Sequence, residues 1–195
     1  MAGDTKQRMI ELTAVLLARK GLQGTSFSEV LEASGAPRGS LYHHFPGGKD
    51  ELVFAALGAA GDQALKVLAH QRGKAATEVA RAFIEMWRTV LEKSNFAAGC
   101  GVVAVTVAAE TPALIEKAAE VFRNSRSSLA RLLADGGVPA KRADSLAVSL
   151  IAACEGAVVL SRAERSIESF DLVAAEQLAV IKAAMSGSPG VRRSR

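Results

Sequence analysis

The sequence predicts an all-α chain, with a three-helix unit at its N-terminus that contains a helix-turn-helix and a longer helical domain after it. Three observations carry this. Ala, Leu and Val dominate a composition that is 49% hydrophobic but only 5% aromatic, which favours helix over sheet. Apolar residues recur three and four positions apart along most of the chain. The stretch TSFSEVLEASGAPRGSLYHHFPGGKDEL, residues 25–52, reads as two short helices around a tight turn and then the start of a longer helix.

The first predicted helix spans residues 4–20, with Asp4 as its cap and Met9, Leu12, Leu16 and Arg19 along one side. Gly21 and Gly24 bracket the loop that follows. Ser26 and Glu29 have capping-box spacing, in which each side chain satisfies a backbone N–H at the helix start. Val30, Leu31 and Ser34 make a brief helical face with Phe27 ahead of it. Gly35 ends this helix, because a chain turning at a helix C-terminus needs a residue that tolerates the left-handed conformation. Pro37 reopens a helix where its missing N–H does no harm. Leu41 and Phe45 stand four apart and point inward together, leaving Arg38, Ser40, Tyr42, His43 and His44 on or near the opposite face. An apolar anchor behind and donors with a planar ring in front are what a recognition helix requires.

Lys49 opens a long helix to about His70, with Leu52, Val53, Ala56, Ala60, Ala64, Leu65 and Leu68 inward. A patterned helix follows over 77–93, carrying Val79, Phe83, Met86, Trp87, Val90 and Leu91 on one side. Residues 102–110 include VVAVTV, rich in β-branched residues. A helix is expected there nonetheless, since a lone strand in a helical chain has no partner. Helices are then expected from Pro112 to Asp135, from Ala140 to about Arg165, and from about Phe170 to Met185. The segment SLAVSLIAACEGAVVLS is apolar nearly all round and must be covered on more than one side.

The formal net charge is only +4, so bulk charge does not by itself point to nucleic acid. Residues 1–50 carry six Lys/Arg against five Asp/Glu. A DNA contact has to rest on where charges sit. Cys100 and Cys154 are too few and too far apart for a disulfide framework, and both lie among small apolar residues. MAGDTKQRM lacks a leader's apolar core, and no uninterrupted apolar run approaches the roughly 18 residues of a membrane span. A cytoplasmic location away from membranes is expected.

At Ser26–Ala36, Arg38-Gly39-Ser40-Leu41-Tyr42, His44-Phe45 and Lys49-Asp50-Glu51-Leu52 the chain resembles the TetR family of transcriptional regulators. Pro46-Gly47-Gly48 lengthens the link before Lys49, and PRGSLYHHFPGGK resembles the LmrA/YxaF-type subgroup. The resemblance implies a DNA-binding domain over 4–50, an effector-binding and dimerisation domain over 51–186, and a basic tail over 187–195. It implies a homodimer, double-stranded operator DNA and a small, largely apolar effector as partners, and no cofactor. It further implies that Arg38 and Gly39 meet backbone or base edges, that Tyr42 and His44 hold phosphates, and that Lys49 anchors the next helix to the DNA backbone. His43 is placed for bases or thymine methyls, and Ser26, Ser28, Ala36, Pro37 and Ser40 complete the DNA-facing set. Ala36 and Pro37 stand where relatives more often carry serines, which removes phosphate donors.

Candidate effector residues are Phe83, Met86, Trp87, Phe96, Val103, Val107, Phe122 and Glu155, although plain core packing accounts for any single one of the apolar members. Glu155 lies inside the most apolar run, where an unpaired carboxylate is expensive; it either pairs across the dimer with Arg162 or Arg165, the favoured role, or faces a pocket. The dimer interface is expected at Leu150, Ala153, Gly156, Ala157, Leu160, Leu178 and Ile181. No catalytic constellation or metal spacing is evident. Two other readings stay open: an activator, and a helical carrier or enzyme with a vestigial helix-turn-helix.

Overall fold

The computed structural model describes residues 2–186, and the expected tail over 187–195 lies outside them. Among the described residues the elements, in order, are α1 Ala2–Lys20, α2 Phe27–Ser34, α3 Arg38–His44, α4 Lys49–Ala69, α5 Ala76–Lys93, α6 Gly101–Ala108, α7 Pro112–Asp135, α8 Ala140–Glu164 and α9 Glu168–Ser186. The β-branched run is helix α6, and no strand occurs among the described residues. Its Val102 and Val105 are buried, so packing onto an apolar core overrides local β-preference.

Three local expectations shift. Asp4 sits inside the first turn of α1 rather than capping it, where its charge still complements the positive end of the helix dipole. Pro37 is the N-cap residue of α3, with φ −60° and ψ 143°, so the helix proper opens at Arg38. The buried line of α1 is Met9, Thr13 and Leu17, and Arg19 is exposed. Thr13 can be buried because its hydroxyl donates to the Met9 carbonyl at 2.7 Å.

The chain divides into two compact units. One comprises residues through Lys66 together with Val90–Ser125; the other comprises Val67–Thr89 together with the residues from Arg126 on. In the first, Met9, Val30, Leu41, Phe45 and Leu52 make the core that binds α1, α2, α3 and the start of α4. A second cluster extends this unit: Leu17 and Leu22 meet Val53, Ala56 and Leu57 of α4, Val102 and Val105 of α6, and Leu114, Ala118 and Val121 of α7. The α1–α6 approach is close. A Cβ on Gly101 would lie 3.2 Å from the Leu17 Cβ, and the Gly99 N–H donates to the Ala18 carbonyl at 2.8 Å.

In the second unit α8 and α9 pack together, burying Leu146, Ala147, Leu150, Cys154, Ala157, Val158, Phe170, Ala174 and Ile181. Arg88 of α5 pairs with Asp171 of α9 and lies over the Phe170 ring at 5.8 Å. By length and composition alone, α4 and α8 are apolar enough to cross a membrane, with mean hydropathy 1.4 and 1.7. Asp62 and Lys66 in α4 and Glu155 in α8 interrupt them, and part of each helix is buried in the cores just described while Phe54, Val148, Val159 and Leu160 are exposed.

Candidate nucleic-acid interface

The helix-turn-helix is held by local chemistry that the sequence encodes directly. Ser26 Oγ accepts from the Glu29 N–H at 3.3 Å, and Glu29 Oε2 accepts from the Ser26 N–H at 3.0 Å, closing the capping box of α2. Lys20 of α1 pairs with Glu29 from the other side. This hydrogen bond, then the Ser26 N–H, holds the Glu29 carboxyl below its ordinary value. Gly35 takes φ 68° and donates to the Leu31 carbonyl at 2.9 Å. The turn is finished by Ser34, whose hydroxyl donates to the Leu31 carbonyl and accepts from the Ala36 N–H.

This turn delivers α3 with one face sunk and the other free. Leu41 and Phe45 are buried, while Arg38, Gly39, Tyr42 and His43 are exposed. Ser40, His44 and Ala36 are half-buried at the margin, and Ser26, Ser28 and Pro37 are exposed nearby. Tyr42 is 58% exposed, yet its ring is braced edge-on by Phe27 at 5.8 Å. That contact restrains the ring without covering it. His43 and His44 lie 5.2 Å apart. The Lys6 ammonium stands 5.4 Å over the Phe45 ring, which brings one α1 cation to the edge of α3.

Gly39 is the most informative position. It lies in the first turn of α3 with no positive φ, and a Cβ there would meet nothing within 4 Å. Neither backbone conformation nor packing in this chain calls for glycine, although glycine weakens a helix.

Lys49 has a role that its position in the sequence does not reveal. Its Nζ donates to the Leu22 carbonyl at 2.7 Å.

The candidate effector residues fall in both units: Phe83, Met86, Trp87 and Glu155 in one, Phe96, Val103, Val107 and Phe122 in the other. Phe83 is core and Val107 is 79% exposed. Phe122 packs against the α4–α6–α7 cluster, and Phe96 holds a left-handed backbone at φ 60°. Trp87 Nε1 is buried without a hydrogen-bond partner, as is Ser161 Oγ. The Trp87 ring marks it in the sequence as a candidate, whereas nothing in a helical pattern marks the orphaned hydroxyl of Ser161.

The expected dimer residues also divide. Leu150, Ala157 and Ile181 are buried within the chain, Ala153 and Leu178 are half-buried, and Gly156 and Leu160 are exposed. The outward face of α8 carries Val148, Ala152, Gly156, Val159 and Leu160. A Cβ on Gly156 would meet nothing within 4 Å, and Leu172 of α9 is 68% exposed. Among the described residues no group of three or more His, Cys, Asp or Glu side chains is placed to hold a metal ion.

Both the N-terminal helices and the helical region after them match known families. Residues 9–56 match the family model of bacterial regulatory proteins of the tetR family. Residues 76–176 match the model described as transcriptional regulator LmrA/YxaF-like, C-terminal domain. The chain is 38% identical over 176 residues to an HTH-type transcriptional regulator of Mycobacterium tuberculosis, covering 86% of this chain and 89% of that one. It is 27% identical over 164 residues to the HTH-type transcriptional regulator LmrA of Bacillus subtilis, covering 82% and 87%. Among solved structures, a TetR transcriptional regulator from Chloroflexus aurantiacus superposes with a TM-score of 0.76 at 25% identity, covering 93% of this chain and 96% of that one.

Proposed function

This chain belongs to the TetR family of DNA-binding transcriptional regulators, whose members are not enzymes, and on that premise we propose that it is a homodimeric repressor released from its operator by a small, largely apolar effector. The observation that carries the DNA-facing part is the split of α3. Leu41 and Phe45 fix the helix from behind, and Arg38, Gly39, Tyr42 and His43 stand exposed in front. A bare backbone at Gly39 lets the helix start approach a groove. Arg38 beside it can form a bidentate contact with a guanine edge or a phosphate, and the braced Tyr42 hydroxyl suits a phosphate oxygen. His43 and His44 supply further donors along the same edge.

Two heads are needed because a seven-residue helix reads only a few base pairs. A two-fold dimer reads a pseudo-palindrome with half-sites about one helical turn, ~10 bp, or a multiple of it apart. The apolar outward face of α8, with Gly156 open at its centre and Leu172 on α9, suits close helix packing between two copies. Occupying a promoter suffices for repression, whereas activation needs a further surface for the polymerase. For the effector, Trp87 offers a buried, unpaired N–H that an acceptor atom on an otherwise apolar ligand would satisfy. Differential affinity for the DNA-incompetent state is what would release the operator.

The test is an unbiased selection of duplexes retained by the full chain, followed by gel shifts over a salt series. The expected result is a discrete complex that survives competitor DNA and weakens steeply with salt. In that assay Tyr42→Ala lowers affinity for every operator variant alike. Arg38→Ala costs about 1–3 kcal/mol and relaxes preference at one position per half-site. Retention of no duplex, or unchanged binding by both variants, refutes the assignment and favours a helical carrier.

A further inference from the structure

Phe27 joins the interior of the DNA-facing unit to its surface. It is the first residue of α2, immediately after the N-cap Ser26, so the capping box of Ser26 and Glu29 fixes the backbone from which its side chain leaves. Half-buried, it packs against the cluster of Met9, Val30, Leu41, Phe45 and Leu52. The same ring meets Tyr42 of α3 at 5.8 Å between centroids, with the two planes at 86°. Both residues belong to one compact unit.

The contact matters because Tyr42 is 58% exposed. On a helix two χ1 wells are open to a tyrosine, and an exposed ring moves between them. Binding that needs one arrangement of such a side chain costs about two- to tenfold in affinity. An edge-to-face aromatic pair is worth a similar factor, about two- to tenfold, and is lost when the Tyr42 ring swings away. Phe27 therefore favours one arrangement in the free protein, and the ordering cost falls on folding instead of on binding. A leucine at position 27 would fill part of the same core space, but it has no ring to offer Tyr42.

We propose that Phe27 is a positioning residue for DNA binding, which acts through Tyr42 by holding its ring in the rotamer that the phosphate contact needs. The proposal rests on the DNA-binding reading above. It makes the contribution of Phe27 conditional on Tyr42, and this separates it from plain core packing. A residue that only supports the core changes affinity by the same factor whether or not Tyr42 is present. A positioning residue changes it only while there is a ring to position, and a double-mutant cycle measures that difference.

The experiment uses the full chain and a duplex recovered by selection, with dissociation constants from fluorescence anisotropy. Phe27→Leu is expected to lower affinity about threefold when Tyr42 is present and to leave it unchanged in the Tyr42→Ala background. Phe27→Tyr keeps a ring at position 27 and is expected to bind as wild type, without rescuing Tyr42→Ala. Equal losses in both backgrounds overturn the proposal, and so does unchanged affinity for Phe27→Leu with Tyr42 present. If Phe27→Leu does not fold, the wild-type chain decides. Tyr42 is its one tyrosine, so ring-labelled tyrosine gives a single set of NMR signals. The expected result is a nuclear Overhauser contact between the Tyr42 and Phe27 rings and one χ1 well in the free protein, both unchanged on adding the duplex. Averaging between wells in the free protein, or a χ1 that changes on binding, overturns the proposal. A wild-type chain that prefers no duplex refutes the DNA-binding reading and this role with it, whereas equal losses in a chain that does bind refute this role alone, which keeps the two failures apart.

Discussion

Replacing Gly39 by Ala should move stability and DNA binding in opposite directions. The substitution adds one methyl group at a helical position where a Cβ has no neighbour within 4 Å, so the free protein accepts it without a clash. Ala loses less backbone entropy than Gly on entering a helix, a difference of roughly 0.5–1 kcal/mol in a helix interior. Because position 39 lies in the first turn, the lower end of that range applies. For a chain of this size, a gain of 1 kcal/mol corresponds to about 2–4 °C in melting temperature, so a rise of about 1–2 °C is expected if the head unfolds with the rest. Against DNA, the same methyl group enters the space that the bare backbone leaves open. A close approach lost there costs about tenfold or more in affinity, or ~1.4 kcal/mol. Differential scanning calorimetry and fluorescence anisotropy on a selected duplex measure the two effects. Improved stability with unchanged DNA affinity would show that no surface approaches Gly39. Reduced stability would show that the space around its Cα is filled.

Other outcomes follow from particular contacts. Gly136→Ala should be strongly destabilising, because its Cβ would lie 2.4 Å from the Ala76 nitrogen, whose N–H donates to the Gly136 carbonyl at 2.9 Å; the melting temperature should fall by several degrees. Burial pushes the Cys154 thiol up to about 12, so at pH 8 iodoacetamide should leave it unmodified in the folded chain and alkylate it in denaturant, as read by mass spectrometry. Lys20 and the Ser26 N–H lower the Glu29 carboxyl in the folded chain. Its contribution to stability is therefore complete above its unfolded value and lost as pH falls through its folded value. Glu29→Gln should flatten the acid side of the stability profile and leave the neutral-to-alkaline side parallel to wild type, as followed by circular dichroism at a series of pH values.

Much of the fold and of the candidate DNA-facing site is set by the sequence alone, because it depends on interactions over three to five residues. The Ser26–Glu29 box, the left-handed Gly35, the Leu41–Phe45 pair and the helices from Pro112 and Ala140 are all of this kind. Their geometry follows from the helical repeat and from backbone sterics, which any stretch of chain obeys wherever it lies. The exposure of Arg38, Gly39, Tyr42 and His43 follows from burying Leu41 and Phe45, and so was legible with them.

What tertiary structure decided involves partners far apart in sequence. Only folding brings Lys49 to the Leu22 carbonyl, Asp50 to the Thr111 hydroxyl and Lys20 to Glu29. Only the packed α8–α9 pair separates Leu150, Ala157 and Ile181, which are used in the chain's own interior, from Gly156 and Leu160, which remain on its surface. On a helix that is apolar nearly all round, periodicity cannot tell which stripe faces inward. The same limit holds for α6, where two valines go to the core and Val107 does not, and for Ser161, whose hydroxyl is buried without a partner. A one-dimensional pattern records how apolar a residue is, but which neighbour it meets depends on the crossing of helices that the chain connects only over long distances.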